Sequence, residues 1–230
     1  MITLSALMKS SIGKKLFMGF SGIMLLGFII VHLVGNMTLL LPDGGAAFNV
    51  YAHTLMSFGT ATYIAEFILA MIFLIHILYA IIVTLDNWKA RGNDKYKMIT
   101  KAGHTSRKTW ASDNMIWTGL LVFIFLVKHI IDFKYGTMYF TEVDGIPMRD
   151  LYRTVVEFYG DIYNVGMYVV IMILLGLHLS HGAWSSFQSI GVDGARFTPF
   201  MVTFAKVFGS VIFFGFSLIP VILYLTGGSA

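Results

Sequence analysis

The chain contains no cysteine. That excludes disulfides, cysteine-held iron–sulfur clusters and haem attached through C-x-x-C-H. Any redox cofactor must be held by other side chains, and histidine is the obvious one. Charge is scarce as well: Asp, Glu, Lys and Arg make up 12% of the residues, against about a quarter in a soluble domain. With 57% hydrophobic residues and a mean hydropathy of +0.78, the chain reads as an all-α integral membrane protein. Its net charge of +4 does not point to nucleic acid, because the basic residues collect in loops. No internal repeat of about 20–50 residues and no low-complexity tract is present. Residues 1–230 read as a single helical domain.

A membrane span needs roughly 20 apolar residues. Five stretches qualify, at about 14–36, 61–85, 112–133, 161–185 and 200–226. The first follows Lys9, Lys14 and Lys15 and outruns the roughly 7–15 residues of a signal-peptide core, so it reads as an uncleaved span. Turn chemistry punctuates the spans at LPDGG (41–45), KARGND (89–94) and VDGIP (143–147). The sizeable polar connections are 86–110 and 134–160. Twelve of the Lys and Arg residues fall in the N-terminus, the 86–110 loop and the 186–206 segment, and only Lys128, Lys134, Arg149 and Arg153 fall on the other side. The positive-inside rule then predicts a cytoplasmic N-terminus and a C-terminus outside.

Four histidines lie within spans, one on each of the first four. An ionisable ring in hydrocarbon is expensive unless it is paired or used. At about 1.5 Å of rise per residue, His32 and His129 lie roughly 25 Å from the inner face, whereas His76 and His178 lie roughly 15 Å from it. The rings form two layers roughly 10 Å apart. A four-helix bundle holding two stacked bis-histidine sites has this pattern, since bundle cofactors are held by side chains on facing helices. Two opposed ligands suit haem iron, whereas zinc wants three or four converging tetrahedrally. Gly13, Gly19, Ser21, Gly22 and Gly27 on span 1 could let a flat macrocycle approach the backbone, although small residues also simply pack helices. The plain alternative for any one of these histidines is a hydrogen-bonded packing residue. His181, three residues beyond His178, has no partner in depth and reads as packing or a propionate contact. His53 and His104 read as loop residues, and Lys128 as a side chain snorkelling to the outer interface.

The H-x-x-x-H and H-x-x-H-H boxes of di-metal membrane oxygenases are missing. So are the paired histidines, two heptads apart on one helix, of quinol-oxidising cytochromes in other respiratory complexes. A proton-coupled transporter with a histidine relay is the rival from another class. It lacks an inverted repeat and matched broken helices here, and Glu66 is the only carboxylate well inside a span.

Several segments together resemble one family. They are SSIGKKLFMGFSG and FIIVHLVGN in span 1, IFLIHILYA in span 2, WKARGNDKY (88–96) and TWASDNM (109–115) in the following loop, LVKHIIDF in span 3 and HLSHGAWSSFQSIG in span 4. Across essentially the whole chain they resemble the two-haem, single-polypeptide cytochrome b subunit of succinate:quinone oxidoreductases, the succinate dehydrogenases and quinol:fumarate reductases. The more specific parts are ARGNDKY and H-x-x-[HN]-G-x-W-S. The resemblance implies haem ligation by His32 and His129 in an outer site and by His76 and His178 in an inner one. In H-x-x-[HN]-G-x-W-S the ligand is the first position, which favours His178 over His181.

The resemblance also implies two b haems and a quinone, usually menaquinone in this bacterial family. It implies a flavoprotein and an iron–sulfur subunit docked on the cytoplasmic face of the inner membrane, with a dimer of heterotrimers as the assembly. The 86–110 loop and the N-terminus would form the docking surface. The proton-pathway fumarate reductases carry a glutamate two residues before the span-4 ligand, where this chain has Gly176, so that route is not supported. For quinone protons, the segment 48–66 offers His53 and Glu66. The runner-up is a two-haem anchor of another quinone-linked dehydrogenase.

Overall fold

The computed structural model describes residues 3–91 and 109–228. The ARGNDKY motif beyond Arg91, most of the basic loop and His104 lie outside the described residues. The chain is an all-α integral membrane protein; among the described residues five helices are long and apolar enough to span a membrane, over Ser11–Leu40, Thr60–Ala90, Met115–Lys134, Ile162–Ser189 and Phe197–Thr226. Four of these helices begin a few residues earlier or end a few later than their apolar runs. Backbone hydrogen bonding continues past the last apolar residue until a cap or turn stops it.

The N-terminus first forms a short helix, α1 (Leu4–Lys9). Ser10 closes it and opens α2 (Ser11–Met37): its hydroxyl donates to the Leu7 carbonyl at 2.8 Å and accepts the Gly13 amide at 2.9 Å. A side chain on Gly13 would collide with the Leu7 carbonyl. This glycine therefore serves the α1–α2 corner rather than leaving room for a macrocycle. After a 3-10 turn (Thr38–Leu40) comes α3 (Ala46–Ser57), then the long α4 (Thr60–Arg91). His53 therefore sits on a helix, not in a loop.

TWASDN forms a single helical turn, α5 (Trp110–Asp113). It is held by a capping box in which the Thr109 amide donates to Ser112 Oγ at 2.9 Å and the Ser112 amide donates to Thr109 Oγ1 at 3.2 Å. Such a box stabilises a helix start by about 1 kcal/mol. The helix α6 (Met115–His129) then widens into a π-helical turn, Ile130–Lys134. The Arg149 guanidinium donates to the Phe133 and Lys134 carbonyls at 2.8 and 3.3 Å, supplying partners at that end.

The polar 134–160 connection is structured. Strands β1 (Phe140–Val143) and β2 (Ile146–Arg149) pair antiparallel with Val143 opposite Ile146. Two residues, Asp144 and Gly145, make the turn, both at positive φ (53° and 77°). Asp-Gly suits this type I′ geometry, whose twist matches that of the strands. An amphipathic helix, α7 (Leu151–Tyr159), follows, then α8 (Ile162–Ser189) and α9 (Phe197–Thr226).

Packing divides the chain into two compact units. Unit 1 comprises Met1–Phe28, Phe67–Thr118 and Leu177–Gly209; unit 2 comprises Ile29–Glu66, Gly119–Gly176 and Ser210–Ala230. The core of unit 1 gathers Leu26, Ala183, Trp184 and Ala205. Gly19 and Gly22 of α2 meet Ser186 of α8 so closely that a Cβ on Gly22 would lie 2.5 Å from the Ser186 hydroxyl. These two glycines pack helix on helix. Between α8 and α9, the Asp193 carboxylate accepts from Thr198 Oγ1 at 2.5 Å and from Gln188 Nε2 at 3.2 Å. The Thr198 bond, then the Gln188 bond, hold its pKa below the ordinary carboxylate value. A depressed carboxylate stabilises the fold above its unfolded pKa and loses that contribution as pH falls through the folded value. The difference in thermal stability between wild type and Asp193→Asn should therefore narrow on acidification through about pH 3.9 and below. A constant difference in melting scans would contradict this.

The core of unit 2 is built on Leu39, Phe48, Tyr152, Val155, Tyr159 and Tyr168, with Ile219 and Leu223 from α9. Buried Asn49 on α3 links to the α7 start: its Nδ2 donates to Asp150 Oδ1 at 2.9 Å, and its Oδ1 accepts the Tyr152 amide at 2.9 Å. The Tyr152 hydroxyl donates to the Gly228 carbonyl.

Candidate functional site: two histidine pairs

Unit 2 brings His32 of α2 and His129 of α6 together. Their ring centroids are 5.7 Å apart, with planes nearly perpendicular at 87°. Metal–imidazole bonds of about 2 Å on opposite sides of one ion place ring centroids about 6 Å apart, so this spacing fits a shared iron. Aromatic side chains wall the pair: Phe125 and Phe133 flank His129, and Phe216 lies 5.7 Å from His32. His129 Nδ1 lies 3.3 Å from the Tyr168 hydroxyl, and the Tyr168 ring meets Tyr159 edge-on at 5.1 Å. The Asn36 amide donates to the His32 carbonyl at 2.8 Å and lies 3.4 Å from His32 Nδ1.

In unit 1, His76 of α4 and His181 of α8 both lie within electrostatic reach of His178. His76 Nδ1 is 3.3 Å from Ser21 Oγ, and His178 Nδ1 is 3.1 Å from Thr118 Oγ1. A hydroxyl has one proton to give. Ser21 commits its proton to the Phe17 carbonyl at 2.8 Å, and Thr118 turns its own to the Asn114 and Met115 carbonyls at 3.1 Å. With each hydroxyl proton turned to the main chain, its oxygen is placed to accept from Nδ1, the tautomer that leaves the Nε2 lone pair for a ligand. Metal-ligating histidines are oriented this way, the second ring nitrogen donating to a fixed acceptor. A Cβ on Gly22 would sit 3.7 Å from His76 Cε1, so the backbone already comes close to that ring.

His181 differs from its neighbour. Its Nδ1 is buried without a hydrogen-bond partner, and its ring meets Trp184 edge-on at 6.0 Å. Its Nδ1 has no hydroxyl facing it as Thr118 faces His178. Among the described residues no three or more His, Asp or Glu side chains converge as a metal cluster.

The other candidates lie in unit 2. Glu66, in the second turn of α4, pairs with Lys134 at 2.5 Å, and both side chains are partly exposed. His53 on α3 is half-buried. Lys128 does more than snorkel: it pairs with Asp132 at 2.9 Å and lies 5.3 Å from the Phe158 ring centroid. Sequence reasoning missed the hydroxyls that orient the rings. Ser21 precedes Gly22 and Thr118 precedes Gly119, and only their proximity to His76 and His178 in space gives them a role. No family model matches the chain, and neither does any curated protein or solved structure.

Proposed function

We propose that the chain is the membrane-anchoring cytochrome b subunit of a succinate:quinone oxidoreductase, linking a cytoplasmic iron–sulfur subunit to a membrane quinone. The observation that supports it most is that His32 and His129 come together in one unit, and that in the other His76 and His178, within electrostatic reach of each other, each have Nδ1 against a hydroxyl, of Ser21 and of Thr118. In this reading His32 and His129 hold an outer b haem, and His76 and His178 an inner one. The haems, when bound, supply one-electron carriers at two levels of the membrane. The protein's share is placement: hydroxyls set the ring tautomers, and the aromatic wall around His129 keeps water from the outer pair. The chain itself carries no dicarboxylate site. The excess of Lys and Arg at the N-terminus, the 86–110 loop and the 186–206 segment supports a cytoplasmic side for these segments, in this reading that of a bacterial inner membrane. The flavoprotein and iron–sulfur partners dock there.

A redox-titrated absorption spectrum of the purified chain tests this directly. Two low-spin b-type transitions per chain are expected. Well-folded protein that takes up no haem, made with ample haem supply, would sink the reading and bring the histidine-relay transporter forward.

Quinone chemistry needs a proton-handling group at the outer level, and Glu66 and His53 are the candidates. Glu66→Gln or His53→Ala is expected to cut quinone-linked turnover at least tenfold while both haem transitions stay intact. Full turnover in both variants would remove the assignment.

A further inference from the structure

Unit 1 contains a groove that the haem reading does not use. It has a volume of about 500 Å³ and is lined by Ser5, Met8, Lys9, Lys14, Tyr79 and Ile82. Three elements build it: α1, the start of α2, and the C-terminal half of α4. The Ser10 corner turns α1 back beside the spans and so creates the groove. On one side, Tyr79 and Ile82 belong to the apolar stretch Thr60–Ala90. The Tyr79 ring is fixed by stacking on Phe17, with centroids 5.2 Å apart and planes 8° from parallel. On the other side stand two ammonium groups. Lys14 shares its charge with Asp86 at 2.6 Å, whereas Lys9 is exposed and has no ion pair among the described residues. The groove therefore runs from apolar side chains of a spanning helix to a positive rim at the start of the first span, where Lys9 has no ion pair among the described residues.

An occupant that satisfies both ends is an amphiphile with a negative head and an aliphatic tail. We propose that the groove binds one anionic phospholipid, its phosphate at Lys9 and Lys14 and the upper part of an acyl chain along Met8, Tyr79 and Ile82. Basic pockets at the ends of spanning helices select anionic head groups, and each lysine near the surface contributes about a five-fold preference. A zwitterionic lipid carries its own cation, which would face Lys9 and forfeit that preference. The Ser5 hydroxyl adds a donor or acceptor for the head-group glycerol. The inference is independent of the haem reading, since it uses none of the span histidines.

Native mass spectrometry of the purified full chain in detergent tests it, counting lipids bound during titration with dioleoylphosphatidylglycerol or dioleoylphosphatidylcholine. One phosphatidylglycerol per chain is expected, bound at least five-fold more tightly than phosphatidylcholine. Lys9→Glu should abolish that preference. Ile82→Trp should weaken both lipids, because the indole fills the channel for the chain. Lys206→Glu, a charge reversal in the same unit but outside the groove, should behave as wild type. Circular dichroism checks that each variant keeps its helix content. Glycerol 1-phosphate, the head without the tail, should compete at least a hundred-fold less well than the lipid. Equal affinity of wild type and Lys9→Glu for phosphatidylglycerol would overturn the proposal. Competition by glycerol phosphate as strong as by lipid would also overturn it, since the site would then be one for free phosphate.

Discussion

His178→Ala is expected to remove one of two b-type transitions from the redox-titrated spectrum, whereas His181→Ala keeps both. The two rings are three residues apart on one helix, yet their surroundings separate them. His178 Nδ1 lies 3.1 Å from the hydroxyl of Thr118, which can give its own proton to the main chain and accept from the ring, with Nε2 left for a ligand. His181 Nδ1 is buried with no partner, and its ring packs on Trp184. In the proposed cytochrome, His178→Ala would take away one of the two side chains that would hold a haem with no covalent link in a cysteine-free chain. Haem content should therefore fall from two per chain to one. Thr118→Val supplies the intermediate case. It keeps the ligand but removes the acceptor that orients it, and losses of such outer partners typically weaken a metal site about 10–100-fold. Titrating haem into the apoprotein should show His178→Ala without the inner site, Thr118→Val with a weakened one, and His181→Ala unchanged. Loss of a transition in His181→Ala with retention in His178→Ala would exchange the two roles.

The second large effect concerns stability. Gly45→Ala is expected to destabilise unit 2 by about 2–4 kcal/mol, the sum of a left-handed backbone penalty and an overpacking cost. Gly45 begins α3 at φ +87°, and a Cβ there would overlap the Tyr152 ring. That ring cannot swing aside cheaply. Tyr152 is buried, its amide is bonded to Asn49, and its hydroxyl donates to the Gly228 carbonyl. Gly44→Ala is the control: φ is +65°, but nothing lies within 4 Å of the added carbon, so only the backbone penalty of about 1–2 kcal/mol applies. Thermal unfolding in detergent, followed by circular dichroism, measures both. Equal losses in the two variants would show that Tyr152 yields to the added methyl group.

Much of the architecture was legible in the chain alone, because lipid enforces simple rules. A helix that must satisfy its own backbone over the thickness of a membrane announces itself as an apolar run of the right length. All five spans were therefore visible, and so was the one-per-span spacing of His32, His76, His129 and His178. The Asp-Gly of VDGIP was equally readable as a turn, since few other residues tolerate positive φ. The polar connections were not legible in this way. The α3 helix, the β1–β2 hairpin and α7 are short elements whose stability comes from packing on one another, through contacts such as Asn49 to Asp150 and Asn49 to Tyr152. Those partners are distant in sequence. Likewise, Gly13, Gly19 and Gly22 read as a stripe of small residues, but only the fold assigns the first to the α1–α2 corner and the others to contact with α8. The sequence by itself determined a membrane-spanning all-α chain and an expected depth for each histidine, because hydropathy and rise per residue are local properties. Tertiary structure decided that His32 meets His129, that Ser21 and Thr118 lie against His76 and His178, and that Nδ1 of His181 is buried with no hydrogen-bond partner. Which side chain faces which is set by how separate helices rotate and pack, and no local pattern records it.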